Sequence, residues 1–188
     1  MTTLILGLVL FLGIHSISIF ALPLRNSLAA KNEMGWKGFY SIISAVGLIF
    51  IFVGYGEARA NPVFLYQTPI WFRHLAALLL IPVFALMLAP YFPGKIKAKA
   101  KHPQLIGVKL WALSHILING MLADVVLFGS FLAWAVVNRI SMKKRESRAV
   151  PGMPESKIND VILVALGLGL YVLFVLFFHQ LVTGVRPF

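Results

Sequence analysis

Cysteine is absent. That excludes a disulfide framework, thiolate metal ligation and covalent haem attachment through CxxCH. Acidic residues are scarce as well, with six Asp and Glu against 17 Lys and Arg. No nucleophile–base arrangement and no phosphate-binding loop stands out. The period-two alternation of a barrel strand is also missing. What fills the sequence is apolar: 60% of the 188 residues are hydrophobic and only 12% are charged. A soluble domain of this length has too little interior to hide so much apolar surface. The apolar residues fall in runs of about 20, the length a helix needs to cross the hydrocarbon core. Lipid offers the backbone no hydrogen bonds, so such runs must be helical. The expected class is an all-α polytopic transmembrane bundle, a single domain over residues 1–188.

Six spans are expected: Thr3–Leu22, Gly38–Gly56, Ile70–Tyr91, Leu105–Ile118, Met121–Arg139 and Val161–Val182. The fourth is short and meets the fifth through the turn dipeptide Asn119-Gly120. A five-span bundle with that hairpin only partly inserted is the alternative. The first apolar run lacks a basic leader and a cleavage site, so it reads as a retained helix. Basic residues are concentrated in alternate loops, while the second loop has Arg59, the fourth none and the C-terminal tail Arg186. Arg25, Lys31 and Lys37 lie in the first; Lys95, Lys97, Lys99 and Lys101 in the third; Arg139, Lys143, Lys144, Arg145, Arg148 and Lys157 in the fifth. The net charge of +11 therefore reads as retention of odd loops in the cytoplasm, not as a nucleic-acid surface. Both termini are expected on the outer side of an inner-type membrane. Pro151, Gly152 and Pro154 suggest a flexible fifth linker.

Five histidines remain to be placed. At 1.5 Å per residue, His15 lies about 18 Å below the outer face and His115 about 15 Å above the inner one. Across a core of about 30 Å the two are expected nearly level. A polar ring at that depth needs a partner. Two readings satisfy it: a hydrogen bond between helices, or a pair of imidazoles ligating haem iron from opposite faces. Gly13 and Ser16 flank His15, and Gly107 precedes His115, leaving room for a flat macrocycle. Trp111 and Asn119 lie one turn either side of His115. Trp111 is expected to pack on the ring system, and Asn119 to orient the ligand's other nitrogen.

The stretch from His102-Pro103-Gln104-Leu105-Ile106-Gly107 through Trp111 and His115, then Asn119-Gly120 and Ala123-Asp124, strongly resembles the NnrU family. That family is related to the plant and cyanobacterial 15-cis-zeta-carotene isomerase. Gly13-Ile14-His15, the run Gly54 to Arg59 with Asn61-Pro62, Arg73-His74 and the ending His179 to Val185 fit in order. The resemblance implies a membrane-embedded haem b whose axial ligands correspond to His15 and His115, serving redox or nitrite and nitric oxide metabolism. An alternative is haem-dependent cis–trans isomerisation of a polyene; a further one is a cofactor-free helper or transporter. The isomerase carries a Cys one turn before its second ligand. Ala112 stands here, so a thiolate switch is not expected. Implied partners are the bilayer and a lipophilic polyene or small gas ligand, with homo-oligomerisation left open.

Arg73 and His74 are candidate partners for haem propionates, against the ordinary role of Arg at a helix end. Arg59, Arg186 and His179 share their level. His74 and His179 are also alternative iron ligands if the helix boundaries shift. His102-Pro103 reads as a helix entry. Asp124 is expected to bond near Asn119 or an outer basic residue, and Glu57 to pair with Arg59. Tyr55, Tyr66, Trp36 and Trp71 fit an aromatic belt.

Overall fold

The computed structural model describes residues 1–145, 148 and 150–187. Among these, helices α1 (Thr2–Phe20), α2 (Leu22–Lys31), α3 (Glu33–Ala60), α4 (Phe72–Leu80), α5 (Val83–Leu88), α6 (Lys95–Ala100), α7 (Pro103–Ile118), α8 (Leu122–Ser141), α9 (Asn159–Leu173) and α10 (His179–Thr183) follow in order. Five units are long and apolar enough to cross a bilayer: Thr2–Phe20, Glu33–Ala60, Phe72–Tyr91, Leu122–Ser141 and Asn159–Thr183. The apolar α7 is shorter, as the five-span alternative with a partly inserted hairpin would have it. Large apolar side chains face outward along them, among them Val9, Ile42, Ile49, Leu176 and Phe177. In water that surface would be a severe liability; in lipid it is the solvent-matched face.

Several boundaries differ from the sequence reading. The first apolar run ends at Phe20, and a separate helix, α2, occupies what read as a loop, with Pro23 in its first turn. α3 begins well before Gly38, because Asn32 caps it by accepting from Gly35 N–H at 2.8 Å. An exposed Glu33–Lys37 pair reinforces the first turn. The third span is broken at Ile81-Pro82, where a proline cannot continue the hydrogen-bond ladder. The last span contains a π-helical segment over Phe174–Phe178. The described part of the fifth loop is tied down: Met153 N–H donates to the Tyr91 carbonyl at 2.9 Å. Asn159, 1% exposed, donates to the Pro93 and Pro154 carbonyls. The rest of the expected linker, residues 146, 147 and 149, lies outside the described residues.

Helices α1 and α3 pack antiparallel at close range. Gly47, Ile51, Gly54 and Ala58 make a narrow buried stripe on α3. A methyl group on Gly7 would fall 2.5 Å from the Ile51 nitrogen and 2.8 Å from the Phe50 carbonyl carbon. Without a strong hydrophobic drive between helices in lipid, such small-residue contact is what brings backbones together.

Helix α7 spans about 24 Å, less than a full hydrocarbon core. Its C-terminal carbonyls would be orphaned below the surface. The segment between α3 and α4 covers them. Leu65 N–H donates to the Gly120 carbonyl at 2.8 Å, and Leu122 N–H to the Val63 carbonyl at 2.8 Å. Tyr66 reaches inward, its hydroxyl donating to the carbonyls of Ile116 and Asn119. Tyr66 is thus a helix cap rather than a belt residue. At the opposite end, the third and fifth loops and the starts and ends of α7 and α8 converge, so the basic loops do share one side.

Candidate functional site

The two central histidines are built alike. Four residues before each stands an aromatic residue whose carbonyl meets the imidazole. His15 Nδ1 lies 2.6 Å from the Phe11 carbonyl, and His115 Nδ1 lies 2.7 Å from the Trp111 carbonyl. A carbonyl only accepts, so Nδ1 must carry the proton in both rings. Each Nε2 then holds the free lone pair, which is the form a metal ligand needs. The Trp111 carbonyl, not the Asn119 side chain, takes the orienting role. Asn119 instead ends α7, its backbone N–H donating to His115 and its carbonyl accepting from Tyr66.

Around His15 lie Phe11 (stacked, centroids 4.2 Å apart), Tyr40 (5.0 Å) and Trp134 (edge-on, 6.0 Å). The Trp134 indole nitrogen is buried and has no hydrogen-bond partner among the described residues. His115 stacks on Phe128 at 4.5 Å and leans on Trp111 at 5.4 Å. Between the two histidines run Phe11, Phe131 and Trp111, with successive centroids 5.7 and 5.3 Å apart.

The expected common height is not observed. Both rings have neighbours on α8, and those neighbours, Phe128 and Trp134, are six residues apart. His15 therefore sits about 9 Å nearer the basic end. Counting from two membrane edges assumed that α1 and α7 fill one slab from equivalent starting points. The shared partner α8 measures the offset directly.

Among the remaining candidates, His179 lies close enough to His115 for the two imidazoles to interact electrostatically. Arg73 and His74 lie exposed in the first turn of α4, with no hydrogen bond or ring contact to either central histidine among the described residues. His179 follows the π segment; its Nδ1 lies 2.8 Å from the Val185 carbonyl and 3.2 Å from the Thr183 hydroxyl. His102 occupies the position before α7. Ala112 is fully buried in the core. No group of three or more His, Asp or Glu able to hold a metal converges among the described residues. Any metal at the central pair would rest on two imidazoles and the donors it brings with it.

Asp124 bonds two residues from Asn119, at Met121, and takes Tyr55 rather than a basic residue as its side-chain partner. It is completely buried and accepts from the Tyr55 hydroxyl at 2.5 Å and from the Met121 N–H at 3.0 Å. The second bond closes a capping box at the start of α8, where a carboxylate also suits the helix dipole. Tyr55 is its partner, not a belt residue. Glu57 and Arg59 do not pair: Glu57 accepts from the Thr3 hydroxyl at 2.7 Å, and Arg59 donates to the Thr183 carbonyl at 3.2 Å. Trp36 is largely buried against Tyr40, whereas Trp71 is exposed as a belt residue would be.

The family profile described as NnrU protein matches residues 3–187, nearly the whole chain. The chain belongs to the NnrU family. No curated protein and no solved structure matches it. The NnrU match embraces all three carbonyl-bound histidines and the Tyr55–Asp124 pair. Sequence reasoning missed Phe11, Tyr40, Phe128, Phe131 and Trp134. One signal was available: an aromatic residue at i−4 recurs before both His15 and His115.

Proposed function

We propose that this NnrU-family protein binds haem b in the aromatic layer bounded by His15 and His115, and serves redox or nitric oxide chemistry in the inner membrane. The observation that carries this reading is the matched tethering of the two Nδ1 atoms, which leaves both Nε2 atoms as lone-pair donors. The donor chemistry fits a bis-imidazole haem. The space does not stand open, because Phe11, Phe131 and Trp111 fill it and the two imidazoles are offset by about 9 Å along α8, so joint ligation of one iron would require the helices to shift as well as those rings to part. Aromatic rings are apt neighbours for a flat apolar group and exclude water from it. When bound, haem b would supply a one-electron couple, and a small gas ligand would bind its ferrous state only by displacing one imidazole. The Phe11 and Trp111 carbonyls hold the imidazoles in one tautomer and one orientation throughout. The basic loops set the cytoplasmic side, which puts the Met1 end outward.

The test is the visible spectrum of protein purified from haem-replete cells. A Soret band with sharp reduced bands, lost in both His15→Ala and His115→Ala, is expected. Colourless wild-type protein would refute haem binding and leave a cofactor-free bundle. Conversion of supplied 15-cis-zeta-carotene would move the assignment to the isomerase.

A further inference from the structure

Away from the central histidines, a cleft of about 580 Å³ opens at the basic end. Lys97, Lys101, His102 and Arg145 line it, together with one acid, Glu155. With His102 neutral, the lining carries a surplus of two positive charges. Two of the cations are held in place. Arg145 donates to the Ser18 carbonyl at 2.8 Å and to the Asn138 side chain at 2.6 Å. Its Nε is buried without a hydrogen-bond partner among the described residues. Lys97 donates to the Pro90 carbonyl at 3.0 Å. Lys101 adopts a positive φ of 59°, a conformation that costs a non-glycine residue energy. Among the described residues, the ion pair present is Glu33–Lys37, elsewhere in the chain.

Like charges gathered around a cavity repel, and an anion entering it relieves that repulsion. A planar guanidinium beside two ammonium groups suits tetrahedral oxyanions, since Arg forms paired hydrogen bonds and Lys acts as a point charge. We propose that this cleft is a binding site for a phosphate-bearing anion. The phosphate belongs either to an anionic lipid headgroup or to a soluble phosphate compound, and the recognition chemistry is the same for both.

His102 offers a reporter inside the cleft. Burial, and then the positive charges of Arg139, Lys101 and Arg145, hold its imidazole below the ordinary histidine range. An anion there opposes those three charges. The experiment follows the His102 titration by NMR on histidine-labelled protein in two arms. One adds inorganic phosphate to protein in maltoside detergent at constant ionic strength. The other compares nanodiscs of phosphatidylglycerol with nanodiscs of phosphatidylcholine. The expected result is a saturable upward movement of the His102 midpoint by about half a unit or more in at least one arm. A response to phosphate identifies a soluble anion, and a response to phosphatidylglycerol alone identifies a lipid. Lys97→Gln and Lys101→Gln should each weaken the response about tenfold, whereas Lys144→Gln, outside the cleft, should not. No saturable movement in either arm, or an undiminished response in both cleft variants, would overturn the proposal.

Discussion

Removing the Tyr55 hydroxyl gives the sharpest test of how the bundle tolerates a buried carboxylate. Asp124 has no exposed surface, and its two acceptor bonds come from Tyr55 and from the backbone of Met121. Tyr55→Phe keeps the ring and deletes one donor to a charged group. Bonds to charged partners contribute about 1.5–3 kcal/mol, and a buried acceptor left short of partners sits at the upper end. The expected loss is therefore about 2–3 kcal/mol of stability. For a soluble chain of similar length each kcal/mol moves Tm by about 2–4 °C, so a fall of about 4–12 °C is expected in detergent. Asp124→Ala should cost at least as much, because it also orphans the Met121 N–H and removes the capping carboxylate. The double variant Tyr55→Phe/Asp124→Ala closes a cycle. Its cost should fall short of the sum of the singles by about 1–2 kcal/mol, as expected for directly bonded partners. Additive costs, or a Tyr55→Phe effect below about 0.5 kcal/mol, would refute the claim that this bond satisfies the carboxylate.

Other outcomes follow from the packing. Gly7→Ala forces a methyl into the α3 backbone, 2.5 Å from the Ile51 nitrogen, and should destabilise by about 1–3 kcal/mol in a denaturation assay. Gly13→Ala, on the same helix but facing open space, should be neutral or gain up to about 1 kcal/mol. Tyr66→Phe uncaps α7 and should accelerate hydrogen exchange around Gly120 and Leu122, where the covering segment pairs with the hairpin, at a cost of about 1–2 kcal/mol.

How much was legible in the sequence divides along physical lines. Apolar runs and the positions of the lysines and arginines report on each helix's own contact with lipid and water, so the five long apolar helices and the gathering of basic loops at one end could be read. Pro103 marked the start of α7, and Pro82 would have marked the break in the third span. Asn32 was a readable cap for α3, overlooked because the apolar run begins later than the helix. Pairings across the bundle were not readable. Tyr55 and Asp124 are 69 residues apart, and nothing local distinguishes a tyrosine that serves a carboxylate from one in an aromatic belt. The height of His15 relative to His115 depends on how α1 and α7 each slide against α8, a matter of interhelical packing. The i−4 aromatic before each histidine was readable, because that contact lies within one helix.

The most direct test of the central claim is the haem content of the purified chain by the pyridine haemochrome assay. One haem b per chain is predicted for the wild type, with less than about a tenth of that in the His15→Ala/His115→Ala double variant, the loss expected when both ligands are removed. Wild-type protein without haem b, or a double variant that retains a full complement, would contradict the assignment.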